Sequence, residues 1–166
     1  SFDAIIITVG TPIQNEKEPN LNHLLSALET IEDIYDGSQV IILRSTVSVG
    51  VTRGTVLPYI CSKYNLEQND ILLSFCPERT IEGNAINELS KLPQIIGALN
   101  ETSYKLSEDY FRKITPSIIK VDSLEAAELV KLFNNTYRDI EFSVGNYFNQ
   151  IAQSFGINGV DLIKSA

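Results

Sequence analysis

The sequence predicts an α/β protein with a mostly parallel, Rossmann-like sheet, the second half of a dinucleotide-binding fold, followed by a long interdomain helix. Short β-branched runs without polar alternation are typical of strands buried on both faces. Segments of helical periodicity, 10–15 residues long, separate these runs. From Ser123 to about Phe155 the pattern is helical and contains no proline. Alternating strands and helices indicate βαβ units, and hence a parallel sheet.

The predicted elements follow one another along the whole chain. Strands are predicted at 4–9, 40–43, 71–75, 94–97 and 117–121. Helices are predicted from an Asn20 N-cap to about Tyr35, and at about 50–64, 103–114, 123–155 and 158–166. Between Cys76 and Pro93 we expect a loop of functional length that contains a short helix.

Three of the predicted strands end in polar or turn-forming segments, at 9–12, 44–46 and 76–78. Because ligands bind at the carboxyl ends of parallel strands, we expect these segments to share one edge of the sheet.

Composition excludes several classes of function. The net charge of -8 argues against nucleic-acid binding, which needs a basic face. No apolar run approaches the ~20 residues of a membrane span. Cys61 and Cys76 form neither a disulfide framework nor a metal motif, so we expect no metal site and a reducing cytoplasm.

The chain lacks Met, begins within a strand and ends within a helix, so we expect a piece of a longer protein.

Five residues spaced 4, 3, 4 and 4 apart share one face of the long predicted helix and form a largely polar stripe: Lys131, Asn135, Arg138, Phe142 and Asn146. The stripe is either a solvated face or the wall of a cleft. Apolar residues on both flanks, and the lack of a Glu/Lys/Gln mixture, keep the cleft interpretation open. In a cleft, Lys131 could stabilise a developing oxyanion and Asn135 could orient the same oxygen.

A second candidate is the loop that contains Glu78 and Glu82. On a helical turn, two carboxylates four residues apart face the same way and can divide acid and base roles. The alternative is a pair of solvated loop glutamates. Thr46, at a strand end, either positions a water or substrate hydroxyl or simply caps the following helix.

Two further side chains are interpreted as structural. His23 has no partner at ligand spacing. Cys76 ends a buried strand and is interpreted as a core thiol, although Arg79 could lower its pKa.

Six short motifs occur in colinear order: Val9-Gly10-Thr11-Pro12, Ser45-Thr46-Val47, Pro77-Glu78-Arg79, Glu82-Gly83, Pro93-Gln94-Ile95-Ile96-Gly97 and Ala127-Glu128-Leu129-Val130-Lys131-Leu132-Phe133-Asn134-Asn135. Over essentially its whole length, the chain resembles the UDP-glucose/GDP-mannose dehydrogenase family. The resemblance implies NAD-dependent oxidation of the C6 hydroxyl of a UDP-sugar to the uronate, in polysaccharide biosynthesis. Two NAD molecules are used, and the thioester forms on a cysteine outside these residues.

The resemblance also implies roles for individual residues. Lys131 would stabilise the oxyanion of the tetrahedral intermediates and Asn135 would hydrogen-bond at the same centre. Thr46 would hold a water, Glu82 would serve thioester hydrolysis, and Glu78 would belong to the substrate and acid/base set. The substrate would contact Glu78, Arg79, Lys131, Asn135 and Arg138. The NAD would lie near Thr11, Pro12, Ser45, Thr46 and Glu82.

Arg138-Asp139 and the Pro-Glu-Arg segment resemble members that act on UDP-N-acetylhexosamines, such as UDP-N-acetylmannosamine. By this resemblance, residues 1–122 form the C-terminal part of the NAD-binding domain. Residues 123–166 form the connecting helix and the start of a central helical domain, and a homodimer would form through that helix.

The family's glycine-rich fingerprint and ribose-binding acidic residue belong before Phe2, and its nucleophilic cysteine belongs after Ala166. Neither Cys61 nor Cys76 lies in that cysteine motif. Two other interpretations stay open. One is a two-electron hydroxyacid dehydrogenase of the 6-phosphogluconate type, and the other is a non-catalytic dimerisation module.

Overall fold

The computed structural model describes residues 3–13, 19–80, 83 and 85–165. Within that part of the chain, five strands form one sheet in the order β1-β2-β3-β4-β5. The strands are β1 (Ala4–Ile7), β2 (Val40–Leu43), β3 (Leu73–Phe75), β4 (Gln94–Ala98) and β5 (Ile118–Lys120). The predicted α/β class with a mostly parallel sheet is confirmed.

One strand pair in the sheet is antiparallel, although the alternation of strands and helices had indicated parallel pairing. β1, β2 and β3 are parallel, β4 is antiparallel to β3, and β5 is parallel to β4. A parallel connection needs a crossover of a dozen or more residues, usually a helix. The helix described between β3 and β4, α3 (Ala85–Leu89), has only five residues. The chain therefore returns along the same end of the sheet, which places the start of β4 beside the end of β3.

The other helices lie close to their predicted positions. They are α1 (Asn22–Thr30), α2 (Leu57–Tyr64, entered through a π-helical turn at Thr52–Val56), α4 (Glu101–Phe111), α5 (Leu124–Ser154) and α6 (Gly159–Ser165). α5 begins within a residue of its predicted start, and the Ser123 hydroxyl oxygen caps it by accepting the Ala126 N–H at 3.1 Å.

The predicted end of α1, at Tyr35, is wrong, whereas its start lies one residue after the predicted Asn20 cap, whose Oδ1 accepts the Asn22 N–H at 2.9 Å. The N-cap position is Leu21, and after Thr30 the chain forms tight turns in which Ile34 N–H donates to the Ile31 carbonyl. Ile31 and Tyr35 are buried in these turns. Their spacing continues the helical period of the core side chains, which is why the sequence pattern overextends the helix.

Both faces of the central strands are covered. Alternate side chains of β1, β2 and β3, including Ile7, Leu43 and Phe75, pack with α1, α2 and the start of α5. On the other face, Val40 and Ile42 pack with Ile96 and with Phe111 of α4. Burial on both faces explains why β2 has four consecutive apolar residues.

β4 and the start of α5 approach each other at Gly97. A Cβ added there would lie 2.2 Å from the Ser123 carbonyl oxygen and 2.7 Å from the Ala127 Cβ. Only glycine allows this close approach, which fixes the first turn of α5 against the sheet.

The chain divides into two compact units, Ser1–Lys131 and Leu132–Ala166. The second unit comprises residues 132–154 of α5, a turn at Gly156 (φ 74°) and α6. At least six of its aromatic side chains are more than half exposed: Phe133, Tyr137, Phe142, Tyr147, Phe148 and Phe155. None of the helices in the described ranges is long and apolar enough to cross a membrane. The domain boundary after residue 122 stays a prediction.

Candidate functional site

The carboxyl ends of β1, β2 and β3 meet at one edge, as predicted from strand order. The Thr11 hydroxyl, after β1, donates to the Thr46 carbonyl oxygen, after β2. The Arg44 guanidinium, directly after β2, pairs with the Glu78 carboxylate, after β3. The three predicted strand-end segments are therefore joined by hydrogen bonds.

Arg44 is the buried cation at this edge, with 7% of its side chain exposed. Its Nη1 donates to Gln94 Oε1 at 2.9 Å, and its Nη2 bonds the Glu78 carboxylate. The guanidinium carbon lies 5.0 Å from the centroid of the Phe111 ring. An amide, a carboxylate and an aromatic face together compensate for the lost hydration of the charge.

Gln94 reaches Arg44 because β4 is antiparallel to β3. Its Nε2 donates to the Ile95 carbonyl at 2.8 Å and to the Pro77 carbonyl at 3.3 Å. These two bonds turn its Oε1 toward Arg44, so the direction of β4 determines how the guanidinium is held.

Glu78 is a well-bonded carboxylate and not a solvated loop glutamate. Its Oε1 accepts the N–H groups of Arg79 and Thr80 at 2.8 and 2.9 Å. Burial alone would raise the pKa of Glu78, but the Thr80 N–H and the Arg44 guanidinium outweigh it and lower that pKa below its usual value. Residues 76–80 are not helical, so the predicted helical arrangement with Glu82 is not seen there, and Glu82 itself lies outside the described residues.

Lys131, in the eighth residue of α5, contacts the same loop. Its Nζ donates to the backbone carbonyl of Glu78, and the side chain is half-buried. This geometry favours the cleft interpretation for Lys131 over the solvated face. Asn135 and Arg138 are half-buried and belong to the second unit, whereas Phe142 and Asn146 are exposed.

Glu128, one turn before Lys131, is completely buried and caps a helix start elsewhere in the unit. Its carboxylate accepts from Gly50 N at 2.6 Å, from Thr52 N at 2.9 Å and from Thr52 Oγ1 at 2.6 Å. The alternative role of Thr46 as the N-cap is therefore wrong, because Glu128 satisfies the first N–H groups of that helix.

Sequence reasoning missed Arg44, Gln94 and Glu128. One signal was available: a charged or amide side chain directly beside a fully apolar stretch must be bonded if it is buried. Arg44 follows the strand Val40–Leu43, and Glu128 lies within an amphipathic helix on its apolar side.

The edge formed by β1 and β2 has polar atoms that suit a ligand. Ser45 is buried, and its Oγ has no hydrogen-bond partner in the described ranges. A Cβ on Gly10 would meet no described atom within 4 Å. His23 lies with Nδ1 3.1 Å from the Gly10 carbonyl oxygen, so it ties α1 to this segment. Thr11 and Thr46 are hydrogen-bonded at this edge, and the assignment of Thr11, Pro12, Ser45 and Thr46 to cofactor binding stays a prediction.

The two thiols do not resemble nucleophiles. Cys76 is fully buried, and burial raises its pKa to about 12, against smaller lowering effects of Arg44 and Ser107. Arg79 is not the relevant neighbour, because its Nη1 donates to the Pro93 carbonyl at 3.2 Å. Burial also raises the pKa of Cys61. In the part of the chain described, no three His, Cys, Asp or Glu side chains cluster as a metal site.

With the edge defined, comparison with known proteins identifies the family. Residues 1–115 match the NAD binding domain of the UDP-glucose/GDP-mannose dehydrogenase family. The chain belongs to this family. The family domain is described as NAD binding, so the predicted cofactor is confirmed.

Relatives in this dehydrogenase family match the chain over nearly its entire length. A UDP-N-acetyl-D-mannosamine dehydrogenase of Methanocaldococcus jannaschii is 32% identical over 167 residues, which cover 99% of this chain and 38% of that protein. The structure of a UDP-D-ManNAc dehydrogenase from Pyrococcus horikoshii superposes with a TM-score of 0.88 at 29% identity, covering 99% of this chain and 39% of that one. A GDP-mannose dehydrogenase from Pseudomonas aeruginosa gives 0.87 at 25% identity, covering 98% and 38%. The chain therefore spans about two fifths of the length of these relatives.

Proposed function

We propose that the chain forms part of an NAD-dependent UDP-sugar 6-dehydrogenase, which oxidises the C6 hydroxyl of a UDP-N-acetylhexosamine to the uronate. One observation carries the proposal. The Lys131 ammonium is bonded to the loop of Glu78, whose carboxylate is paired with Arg44, two residues before Thr46. A cation, an ionised carboxylate and a hydroxyl are thus gathered at the edge where ligands of parallel sheets bind.

These residues suit the steps of such an oxidation. Lys131 stabilises the oxyanion that develops at C6, and Asn135 hydrogen-bonds the same centre. Thr46 holds a water, and Glu82 serves the hydrolysis of the thioester. Because its pKa is lowered, Glu78 is ionised at neutral pH, where it accepts hydrogen bonds or a proton and does not act as a general acid.

The cofactor would be held by Thr11, Pro12, Ser45, Thr46 and Glu82. When bound, NAD accepts hydride from the sugar carbon. We assign residues 1–122 to the C-terminal part of the NAD-binding domain. Residues 123–166 are assigned to the connecting helix and the start of the central helical domain.

The thioester requires a cysteine from another part of the complete protein. Cys76 is buried with a pKa of about 12, and Cys61 has a raised pKa, so neither supplies a thiolate near neutral pH. The free state of both thiols is consistent with a reducing cytoplasm.

The substrate class rests on sequence more than on fold. The similar fold of a GDP-mannose dehydrogenase does not distinguish between sugars. The Pro-Glu-Arg and Arg138-Asp139 segments and the name of the Methanocaldococcus relative favour UDP-N-acetylmannosamine. Arg79 and Arg138 would join Glu78, Lys131 and Asn135 in binding it.

We also propose that two copies associate through α5, because apolar side chains of the second unit are exposed along it. Sedimentation equilibrium of the complete protein tests this association. A monomer at micromolar concentration would contradict it.

The experiment that tests the reaction measures NADH formed per sugar consumed by the complete protein. We expect two NADH for each UDP-N-acetylmannosamine, with slower turnover of UDP-N-acetylglucosamine and UDP-glucose. One NADH per substrate, from a sugar acid instead, would favour the 6-phosphogluconate type. No NADH with any of them would favour the non-catalytic module.

A further inference from the structure

Arg44 carries a buried charge that no step of the proposed oxidation uses. Its guanidinium bonds Gln94, at the start of β4, and Glu78, in the loop after β3. Two nitrogens bond two different partners, Gln94 and Glu78, and the flat face covers Phe111. This arrangement needs the planar fork of arginine.

The restraint continues from Arg44 through Glu78 to α5. One carboxylate oxygen of Glu78 is held by Arg44, and the other accepts two backbone N–H groups of its own loop. With both oxygens bonded, the peptide of Glu78 is held in one orientation. The carbonyl of that same residue accepts the Lys131 ammonium.

We propose that Arg44 is a positioning residue for the reaction, whose guanidinium, held by Gln94 and Phe111, fixes Glu78 and thereby the carbonyl that places the Lys131 ammonium. The expected effect of Arg44 on turnover rests on the proposed function. The expectation that Arg44 holds Glu78 and Lys131 in place does not depend on it. Arg44, directly after β2, pairs with the Glu78 carboxylate, and Lys131 of α5 donates to the Glu78 carbonyl, whereas the Arg79 guanidinium donates to the Pro93 carbonyl.

The test uses the complete protein and three variants. Arg44→Gln removes the charge, and Arg44→Lys keeps it but cannot form both arms of the fork. Arg112→Gln is the matched control, because it breaks a surface ion pair between Arg112, directly after α4, and Glu108 of that helix. The first readout is a ¹³C-carboxyl NMR titration of Glu78, together with the ¹³Cε signal of Lys131.

In Arg44→Gln we expect the pKa of Glu78 to rise, because the adjacent guanidinium that favours the charged form of the carboxylate is lost. The Lys131 signal should shift as well. Arg44→Lys should give an intermediate pKa, and Arg112→Gln should match the wild type. A folded Arg44→Gln protein with an unchanged Glu78 pKa would overturn the inference.

The second readout is NADH formation as a function of pH. We expect kcat to fall at least tenfold in both Arg44 variants with little change in the sugar KM. The acid limb of the profile should move to higher pH in Arg44→Gln and by a smaller amount in Arg44→Lys, a graded shift that a purely structural role would not produce. If Arg44→Gln does not fold, Arg44→Lys decides: wild-type kcat in that variant would overturn the inference.

The two proposals fail in different ways. If the wild type oxidises no nucleotide sugar, the proposed function fails, and the Glu78 titration still decides whether Arg44 holds this loop. If the sugar is oxidised and the Arg44 variants retain full kcat, the positioning role alone is overturned.

Discussion

Among the described residues, the buried charged side chains Arg44 and Glu128 are each bonded by several partners. Arg44 is held by an amide, a carboxylate and an aromatic ring, and the Glu128 carboxylate accepts three hydrogen bonds at a helix start. If one partner of either charge were removed, the desolvation penalty of the buried group would no longer be compensated. These residues therefore position neighbouring elements as well as carrying charge.

The two thiols should react very differently. Because Cys76 is fully buried with a pKa of about 12, it should not react with Ellman's reagent in the native protein at pH 8. Half-buried Cys61 should react slowly. Of the two cysteines in this sequence, at most one should be titrated before unfolding and both afterwards. Cys61→Ser is the control, and rapid native labelling of that variant within residues 1–166 would contradict the account.

At the scale of elements, β4 and α5 approach each other closely at Gly97. Gly97→Ala should lower the free energy of unfolding by about 1–3 kcal/mol, the usual cost of overpacking. The cost should lie toward the upper end, because the nearest atom is a backbone carbonyl 2.2 Å from the added Cβ. Urea denaturation measures the change.

Gly54→Ala is the matched control for this substitution. Gly54 lies in the π-helical turn before α2, and an added Cβ there meets no described atom within 4 Å. Alanine should be neutral or stabilising by up to about 1 kcal/mol. Equal destabilisation by the two substitutions would contradict the packing described for Gly97.

The elements also show how far sequence reasoning reaches. β2 and the start of α5 were predicted within a residue, because an unbroken buried run and a serine N-cap are local signals. The end of α1 was predicted too late, because the turns that follow it bury Ile31 and Tyr35 at the spacing of a helix. The Arg44–Gln94 bond joins residues 50 apart and depends on the direction of β4, which only the path of the intervening loop determines.

At the scale of the whole molecule, several acidic side chains in the described ranges are bonded to cations or N–H groups, which makes stability depend on pH. The Arg53 hydrogen bond lowers the pKa of Glu125 to about 2, and that of Glu78 is lowered as well. A carboxylate with a lowered folded-state pKa stabilises the protein above its unfolded pKa, near 4.5, and this contribution is lost as the pH falls.

The melting temperature should therefore decrease progressively from about pH 5 to about pH 2. Since the Arg53–Glu125 pair is partly exposed, 1 M salt should weaken its part of this dependence. Differential scanning calorimetry across this range measures the trend, with Arg53→Gln as the variant that should flatten it. A melting temperature that rises on acidification would contradict the ion pairs described.

The central claim, that the strand-end edge is the catalytic centre, is tested most directly by kcat of Lys131→Ala in the complete protein with UDP-N-acetylmannosamine and NAD. Removing an oxyanion donor costs roughly 10²–10³-fold in kcat, and we expect a loss at least that large with the circular dichroism spectrum and melting temperature preserved. Lys105→Ala, at an exposed position of α4, is the control and should retain wild-type turnover. Near-normal turnover in folded Lys131→Ala would contradict the account.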